Sequence, residues 1–324
     1  MIVVTGGNGF IGSCLIKKLN RQGEREIYIS DECSETQSLK NLEGGEFVEC
    51  IPPENLIGWL KMNVEKIGII VHLGGCSATD QLDIDYLTRT NYEFTKELYT
   101  IANTNKIKFI YASSATTYGG GEKGFSDKLS PEELNKLRPS NKYGESKHLG
   151  DLYIVNDKNL QRENIIGLKF FNVYGPNEYH KGGMASAVMR MYNQFRKEGI
   201  VEVLDPGDER RIQRDFVYIK DVLEVIEFFV KNNVRSGLYN VGSGVSRSFE
   251  DIAKLVVRTA GGQVEPEEVI VKKAMHEEMR RRYQYYTCAN LEKLREAGYG
   301  KKFHSLEEGV EDYIVNYLRY GRYY

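Results

Sequence analysis

Thr5-Gly6-Gly7-Asn8-Gly9-Phe10-Ile11-Gly12 is the stretch whose reading decides the fold. An apolar run, Ile2-Val3-Val4, precedes it, and an amphipathic segment over residues 11–21 follows. Gly6, Gly9 and Gly12 recur every third position. Between a strand and a helix each glycine has its own duty. The first permits a tight turn, the second lets backbone approach a pyrophosphate, and the third lets the helix sit close to the sheet. The phosphates then meet free N–H groups at the positive end of the helix. A carboxylate is expected at the end of the next strand, to hold the adenosine ribose hydroxyls. Asp31 stands there, followed by Glu32. Two acids repel a 2′-phosphate and favour NAD, whereas Lys40 is near enough in sequence to reach around and accept NADP.

Working outward, apolar strand-like segments at residues 26–30, 67–73 and 106–112 alternate with helix-like segments at 11–21, 54–64 and 86–103. A further helix is expected over 141–156 and a buried strand over 165–171. This alternation predicts an α/β Rossmann fold, a doubly wound parallel sheet, with a smaller mixed α/β substrate-binding lobe. The expected Rossmann domain covers residues 1–172, with a returning segment near 213–242. Residues 173–324 are expected to form mainly the substrate-binding lobe, with helices near 185–197, 220–231, 248–259 and 306–317.

Composition narrows the function classes. The chain has 324 residues, 28% of them charged, with a formal net charge of -2 and no long basic block. Nucleic acid is therefore not an expected partner. No apolar run approaches the roughly 20 residues that span a bilayer, so a cytoplasmic protein without a membrane partner is expected. Its five cysteines include no CxxC pair, and the histidines other than His180 lack ligand spacing, so no metal site is expected. Trp59 reads as a helix-packing residue. Short mixed runs such as 208–211 and 280–282 read as solvated surface. Tyr320, Tyr323 and Tyr324 read as a frayed aromatic end.

Two more segments carry chemistry. One is Tyr111-Ala112-Ser113-Ser114-Ala115-Thr116-Thr117-Tyr118-Gly119, and the other Tyr143-Gly144-Glu145-Ser146-Lys147. Tyr143 and Lys147, four apart, share a helix face. The Lys147 ammonium, together with the cofactor's positive charge, is expected to lower the phenol's pKa so that Tyr143 acts as a base, while Ser114 hydrogen-bonds the oxygen being oxidised.

Together with Arg214-Asp215-Phe216-Val217-Tyr218, these residues resemble the extended short-chain dehydrogenase/reductase superfamily, the NAD-dependent epimerases and dehydratases of nucleotide sugars. The resemblance spans essentially the whole chain. Three segments bring it nearest to the ADP-heptose 6-epimerase family: residues 171–176, His180-Lys181-Gly182-Gly183-Met184-Ala185-Ser186, and Arg282-Tyr283-Gln284. That family serves lipopolysaccharide core synthesis. The resemblance implies an isomerase that inverts C6″ of ADP-D-glycero-D-manno-heptose with a tightly bound NADP or NAD, and a homo-oligomer. It also implies that Tyr143 and Lys181 act as two bases on opposite faces of the sugar.

By position it places Asn172, Gly183, Arg190, Arg214 and Tyr283 against substrate, with Val173 bordering cofactor and substrate. Phe10 and Ile11 fall against the pyrophosphate. Leu73, Gly74, Gly75, Cys76, Ser77 and Asn91 fall on the nicotinamide side. Cys50-Ile51 occupies the place where the family carries an acid. Gly183 and Arg190 replace a serine and a histidine. Thr116 is followed by Thr117 and Tyr118 rather than an Asp-Glu pair, which argues against a 4,6-dehydratase. A UDP-hexose 4-epimerase or another nucleotide-sugar epimerase or reductase shares SSAT and YxxxK and remains the alternative.

Overall fold

The computed structural model describes residues 1–32 and 37–324, without the side chains of residues 37, 38, 279, 281 and 282. Cys33 and the side chains of Arg281 and Arg282 therefore lie outside the described residues. Along the chain run β1 (Ile2–Thr5), α1 (Phe10–Arg21), β2 (Ile27–Ser30), β3 (Glu49–Ile51), α2 (Pro53–Asn63) and β4 (Ile69–His72). Next come α3 (Ile84–Leu87), α4 (Phe94–Thr104), β5 (Lys108–Ser114), α5 (Pro131–Leu134), α6 (Lys142–Val155), β6 (Ile165–Phe170) and β7 (Asn172–Tyr174). Then follow α7 (Ala187–Glu198), β8 (Val201–Asp205), β9 (Gln213–Tyr218), α8 (Ile219–Lys231), β10 (Gly237–Val241), β11 (Ser246–Ser248), α9 (Phe249–Ala260) and β12 (Ile270–Ala274).

Seven strands form one sheet in the order β10-β6-β5-β4-β1-β2-β3, and every pairing in it is parallel. Alternate residues of β1 serve opposite faces, as the two-residue period requires. Val3 joins a core with Leu56, Leu60, Leu98 and Tyr99 of α2 and α4. Ile2 and Val4 join Leu15, Ile16 and Leu19 of α1 and Val225 of α8 on the other face. A sheet buried on both faces needs near-continuous apolar strands, and β6 is buried at all six positions. Strand order reverses between β1 and β4, which opens a crevice at the strands' carboxyl ends.

The smaller lobe is mixed. β7 pairs parallel with β9 and β9 antiparallel with β11, while β8 and β12 form a parallel pair. Val188 and Met191 of α7, Ile252 and Val256 of α9, and Val310 and Ile314 of helix Leu306–Asn316 share its core. Within residues 213–242, α8 and β10 belong with the large sheet, whereas β9 pairs in the small one.

Two expectations are corrected. The single helix over 86–103 is broken into α3, a π-turn at Thr88–Glu93, and α4. The wider turn seats the buried Asn91, whose Nδ2 donates to Cys76 O and Ser146 Oγ, each at 3.0 Å. A π-bulge of this kind is frequent at functional sites. Nor is the aromatic tail frayed throughout. Tyr324 N donates to Asn177 Oδ1 at 2.7 Å, and the Arg21 guanidinium lies 4.4 Å from the Tyr324 ring centre. Tyr323 packs edge-on against Tyr179.

Candidate active site

The glycine loop is shaped by backbone crowding. Gly6 has φ 70°, and a Cβ on it would lie 2.7 Å from Gly74 N. A Cβ on Gly12 would lie 2.1 Å from Gly6 O, so helix α1 can approach the turn only without one. No side chain caps the first turn of α1 at Gly9, which leaves its N–H groups for an anion. Asp31 accepts from Asn8 N and Glu32 N, both at 2.8 Å, and burial raises its carboxyl pKa. Asn8 Oδ1 is a buried acceptor without a partner among the described residues. The cradle and this acceptor beside a carboxylate fit the pyrophosphate and ribose of a nicotinamide dinucleotide. Lys40 lies exposed on the short helix Gln37–Leu42.

His72 holds the second loop. Thr95 Oγ1 donates to Asn91 O, so it accepts from His72 Nε2 at 2.9 Å. His72 Nδ1 then accepts from Thr5 Oγ1 at 2.7 Å, and Thr5 Oγ1 accepts from Gly74 N at 3.0 Å. This tautomer follows from the network. Burial drives the His72 pKa down to about 3, which keeps the ring neutral. The result fixes Leu73–Ser77 over β1.

A cavity of about 480 Å³ opens there. It is lined by Phe10, Ile11, Leu73, Gly74, Gly75, Cys76, Ser77, Ser114, Tyr143, Lys147, Asn172, Val173, Lys181, Gly183, Arg190 and Arg214. Of the remaining candidates, Gly6, Gly9, Gly12, Asp31, Glu32, Lys40, Asn91 and Tyr283 lie outside this lining. Asn91 and the glycines support it from behind. Tyr283 places its ring 5.4 Å from the Arg214 guanidinium.

Asn141 starts α6, accepting from Gly144 N at 2.7 Å, and so presents Tyr143 and Lys147 to the end of β5. Ser114 Oγ accepts from Thr116 Oγ1 at 2.9 Å and lies near enough to the Tyr143 hydroxyl to favour its ionised form. Burial pushes the Tyr143 phenol up to about 12, against the lowering effect of Ser114. The lowering expected from Lys147 together with the cofactor's positive charge is an expectation for the cofactor-bound enzyme. Lys147 Nζ donates to Ala112 O at 3.1 Å, and burial takes its own pKa down to about 8.

Lys181 enters from the turn Tyr179–Met184, with Nζ 5.2 Å from the Phe10 ring centre. Burial lowers its pKa, and the nearby Glu178 carboxylate partly offsets this. Arg214 is buried and donates to the carbonyls of Gln213 and Gln284. A buried guanidinium beside a cavity favours an anionic ligand. The arrangement suits proton transfer at a carbinol next to a dinucleotide, with an anion held at the far end.

Sequence reasoning gave no role to Glu178, which is wholly buried and accepts from Ser186 N at 2.6 Å and Tyr313 OH at 3.1 Å. It also passed over Thr79, Phe249 and Thr287 in the lining. The signal for Glu178 was the preceding Asn177, a left-handed residue (φ 74°) that turns the chain inward after Pro176.

Comparison with known proteins agrees with this geometry. The NAD dependent epimerase/dehydratase family matches residues 2–242. The ADP-L-glycero-D-manno-heptose-6-epimerase of Fusobacterium nucleatum subsp. nucleatum is 46% identical over 98% of both chains. The crystal structure of the Helicobacter pylori ADP-L-glycero-D-manno-heptose-6-epimerase superposes with a TM-score of 0.77 at 28% identity, covering 97% of this chain and 95% of that one. MoeE5, solved with UDP-glucose and NAD, shares the fold at 22% identity, with a TM-score of 0.76 over 99% of each chain.

Proposed function

The chain belongs to the NAD dependent epimerase/dehydratase family, and from that membership we propose that it inverts C6″ of ADP-D-glycero-D-manno-heptose to the L-glycero form. It is an epimerase, and the relatives that support this substrate match it along nearly its full length.

A carbinol C–H is not acidic, so simple deprotonation cannot invert it. The nicotinamide, when bound, supplies a reversible two-electron oxidation of that carbon. The protein's task is to move protons and hold the sugar. Tyr143 exchanges the hydroxyl proton on one face, with Ser114 hydrogen-bonding the same oxygen. Lys181 does so on the other face, because two faces need two carriers. Lys147 sits behind Tyr143, and Asn91 holds the loop under the nicotinamide side. Arg214 takes the diphosphate and Tyr283 the nucleotide end, while Asn172, Val173, Gly183 and Arg190 border the sugar. The observation that carries this reading is that Tyr143 and Lys181 reach one cavity from separate segments, α6 and the turn after β7.

We assign the bound cofactor as NAD. Asp31 and Glu32 stand where a 2′-phosphate would meet negative charge. Exposed apolar residues on adjoining segments, Leu82, Ile84 and Tyr86 with Leu149 and Tyr153 of α6, support a homo-oligomer. No helix among the described residues is long and apolar enough to cross a membrane, and we place the enzyme in the cytoplasm.

The test is to mix purified protein with ADP-D-glycero-D-manno-heptose, adding no cofactor, and to follow C6″ configuration by NMR. Conversion toward the L-glycero epimer supports the proposal. Failure to convert, with cofactor shown to be present, rejects it and makes UDP-hexoses the next substrates.

A further inference from the structure

The turn that carries Lys181 is fastened to the dinucleotide loop of the other lobe. His180 Nδ1 lies 3.1 Å from Asn41 Nδ2, across 139 residues of sequence. The same Nδ2 donates to Asn8 O at 2.8 Å, and Asn8 belongs to the glycine loop. Asn8 and Asn41 are each 1% exposed. A second strap runs beside the first. Asn177 Nδ2 donates to Ser13 Oγ at 2.9 Å, and Ser13 Oγ donates to Gly9 O at 2.7 Å. Asn41 Nδ2 has only protons to offer, so His180 Nδ1 must be the acceptor and the imidazole must be neutral. Burial and the neighbouring Lys181 ammonium lower the His180 pKa, against the raising effect of the Asn177 backbone, in the same direction as the geometry.

These bonds are poor investments for stability alone. Asn41 Oδ1 stays buried without a partner among the described residues, which costs stability. Their geometric effect is specific. They fix the residue next to Lys181 to the loop that cradles the pyrophosphate, while Glu178 fixes the turn's own lobe through Ser186.

We propose that Asn41 and His180 are positioning residues for Lys181, locking the turn that bears it onto the dinucleotide loop. The inference rests on the reading of Lys181 as a proton carrier. Lysine has a long flexible stem, and displacement of a catalytic group by about 1 Å costs on the order of 100-fold in rate.

The test compares His180→Leu, His180→Asn, Asn41→Ala and Lys181→Met in C6″ inversion, with co-purified cofactor content and thermal midpoint measured alongside. His180 is only half-buried, so His180→Leu is the variant least able to disturb folding. The expected result is a kcat lower by about 10- to 100-fold in His180→Leu and Asn41→Ala, with KM and cofactor content close to the parent. His180→Asn, whose Oδ1 accepts in place of Nδ1, restores most of the rate. Parental kcat in His180→Leu, or equal losses in His180→Leu and His180→Asn, overturns the proposal. If Lys181→Met is inactive while His180→Leu is not, positioning alone fails. If Lys181→Met keeps parental kcat, the reading of Lys181 fails first.

Discussion

Lys169 Nζ and Asp151 Oδ2 form an ion pair at 2.6 Å with neither side chain exposed. Tyr111 OH and Ser113 Oγ also donate to Asp151, at 3.1 and 2.7 Å, and Lys169 donates to Thr117 Oγ1. The pair thus ties β5, the turn after Ser114 and helix α6 into one support beneath Tyr143 and Lys147. Removing one partner strands a buried charge. Asp151→Ala is expected to lower the unfolding free energy by about 3–5 kcal/mol, read by urea denaturation. The double variant Asp151→Ala/Lys169→Met should recover much of that loss. A single-variant loss below about 1 kcal/mol would show that the pair carries little.

Tyr143→Phe keeps the ring and removes the hydroxyl proposed as proton carrier. Its kcat is expected to fall by about 10²–10⁴-fold, with cofactor still bound. Lys181→Met should cripple inversion more than cofactor binding. Parallel assays of turnover and of heat-released cofactor check both, and near-normal rates in either variant would contradict the two-base assignment.

Among the described residues no carboxylate pairs with the buried Arg214, in keeping with its proposed role at the diphosphate. Arg214→Met is expected to raise KM for the nucleotide sugar by about tenfold or more, in line with roughly 1.5–3 kcal/mol for a hydrogen bond to a charged group. Cofactor content should not change. Steady-state kinetics separate these outcomes.

Burial sets the sign of one pH effect. Lys147 has its pKa lowered from 10.5 to about 8 in the folded state. Between those values the unfolded chain holds the proton and the folded one does not, so stability rises with pH. The rise attributable to Lys147 is at most about 3.5 kcal/mol. Protein freed of cofactor should show it between pH 8 and 10.5 relative to Lys147→Met. A flat difference across that range would mean that Lys147 keeps its charge when folded.

Much of the fold is local and therefore legible. The strands at residues 2–5 and 27–30, and the helix Phe10–Arg21, follow from apolar period and glycine spacing. Ser114, Tyr143, Lys147 and Lys181 were visible as motif residues, and the fold brings all four to one cavity. What was not legible depends on partners far away in sequence. The π-turn exists because Asn91 reaches Cys76 and Ser146. Lys147 reaches the Ala112 carbonyl, which no helix periodicity reveals. Glu178 carries no sequence motif, and its hydrogen bonds with Ser186 and Tyr313 form only in the closed fold. The tail's Tyr324 finds Asn177 and Arg21, contacts that only the closed fold creates.

The central claim is that C6″ is oxidised and reduced again by the same bound cofactor, with Tyr143 and Lys181 handling only oxygen-bound protons. It is tested most directly by running the inversion in D2O and examining C6″ by NMR and mass spectrometry. The account predicts inverted product that keeps protium at C6″, because the hydrogen that leaves this carbon is the one that returns. Inverted product carrying solvent deuterium at C6″ would contradict it and require direct proton abstraction from carbon.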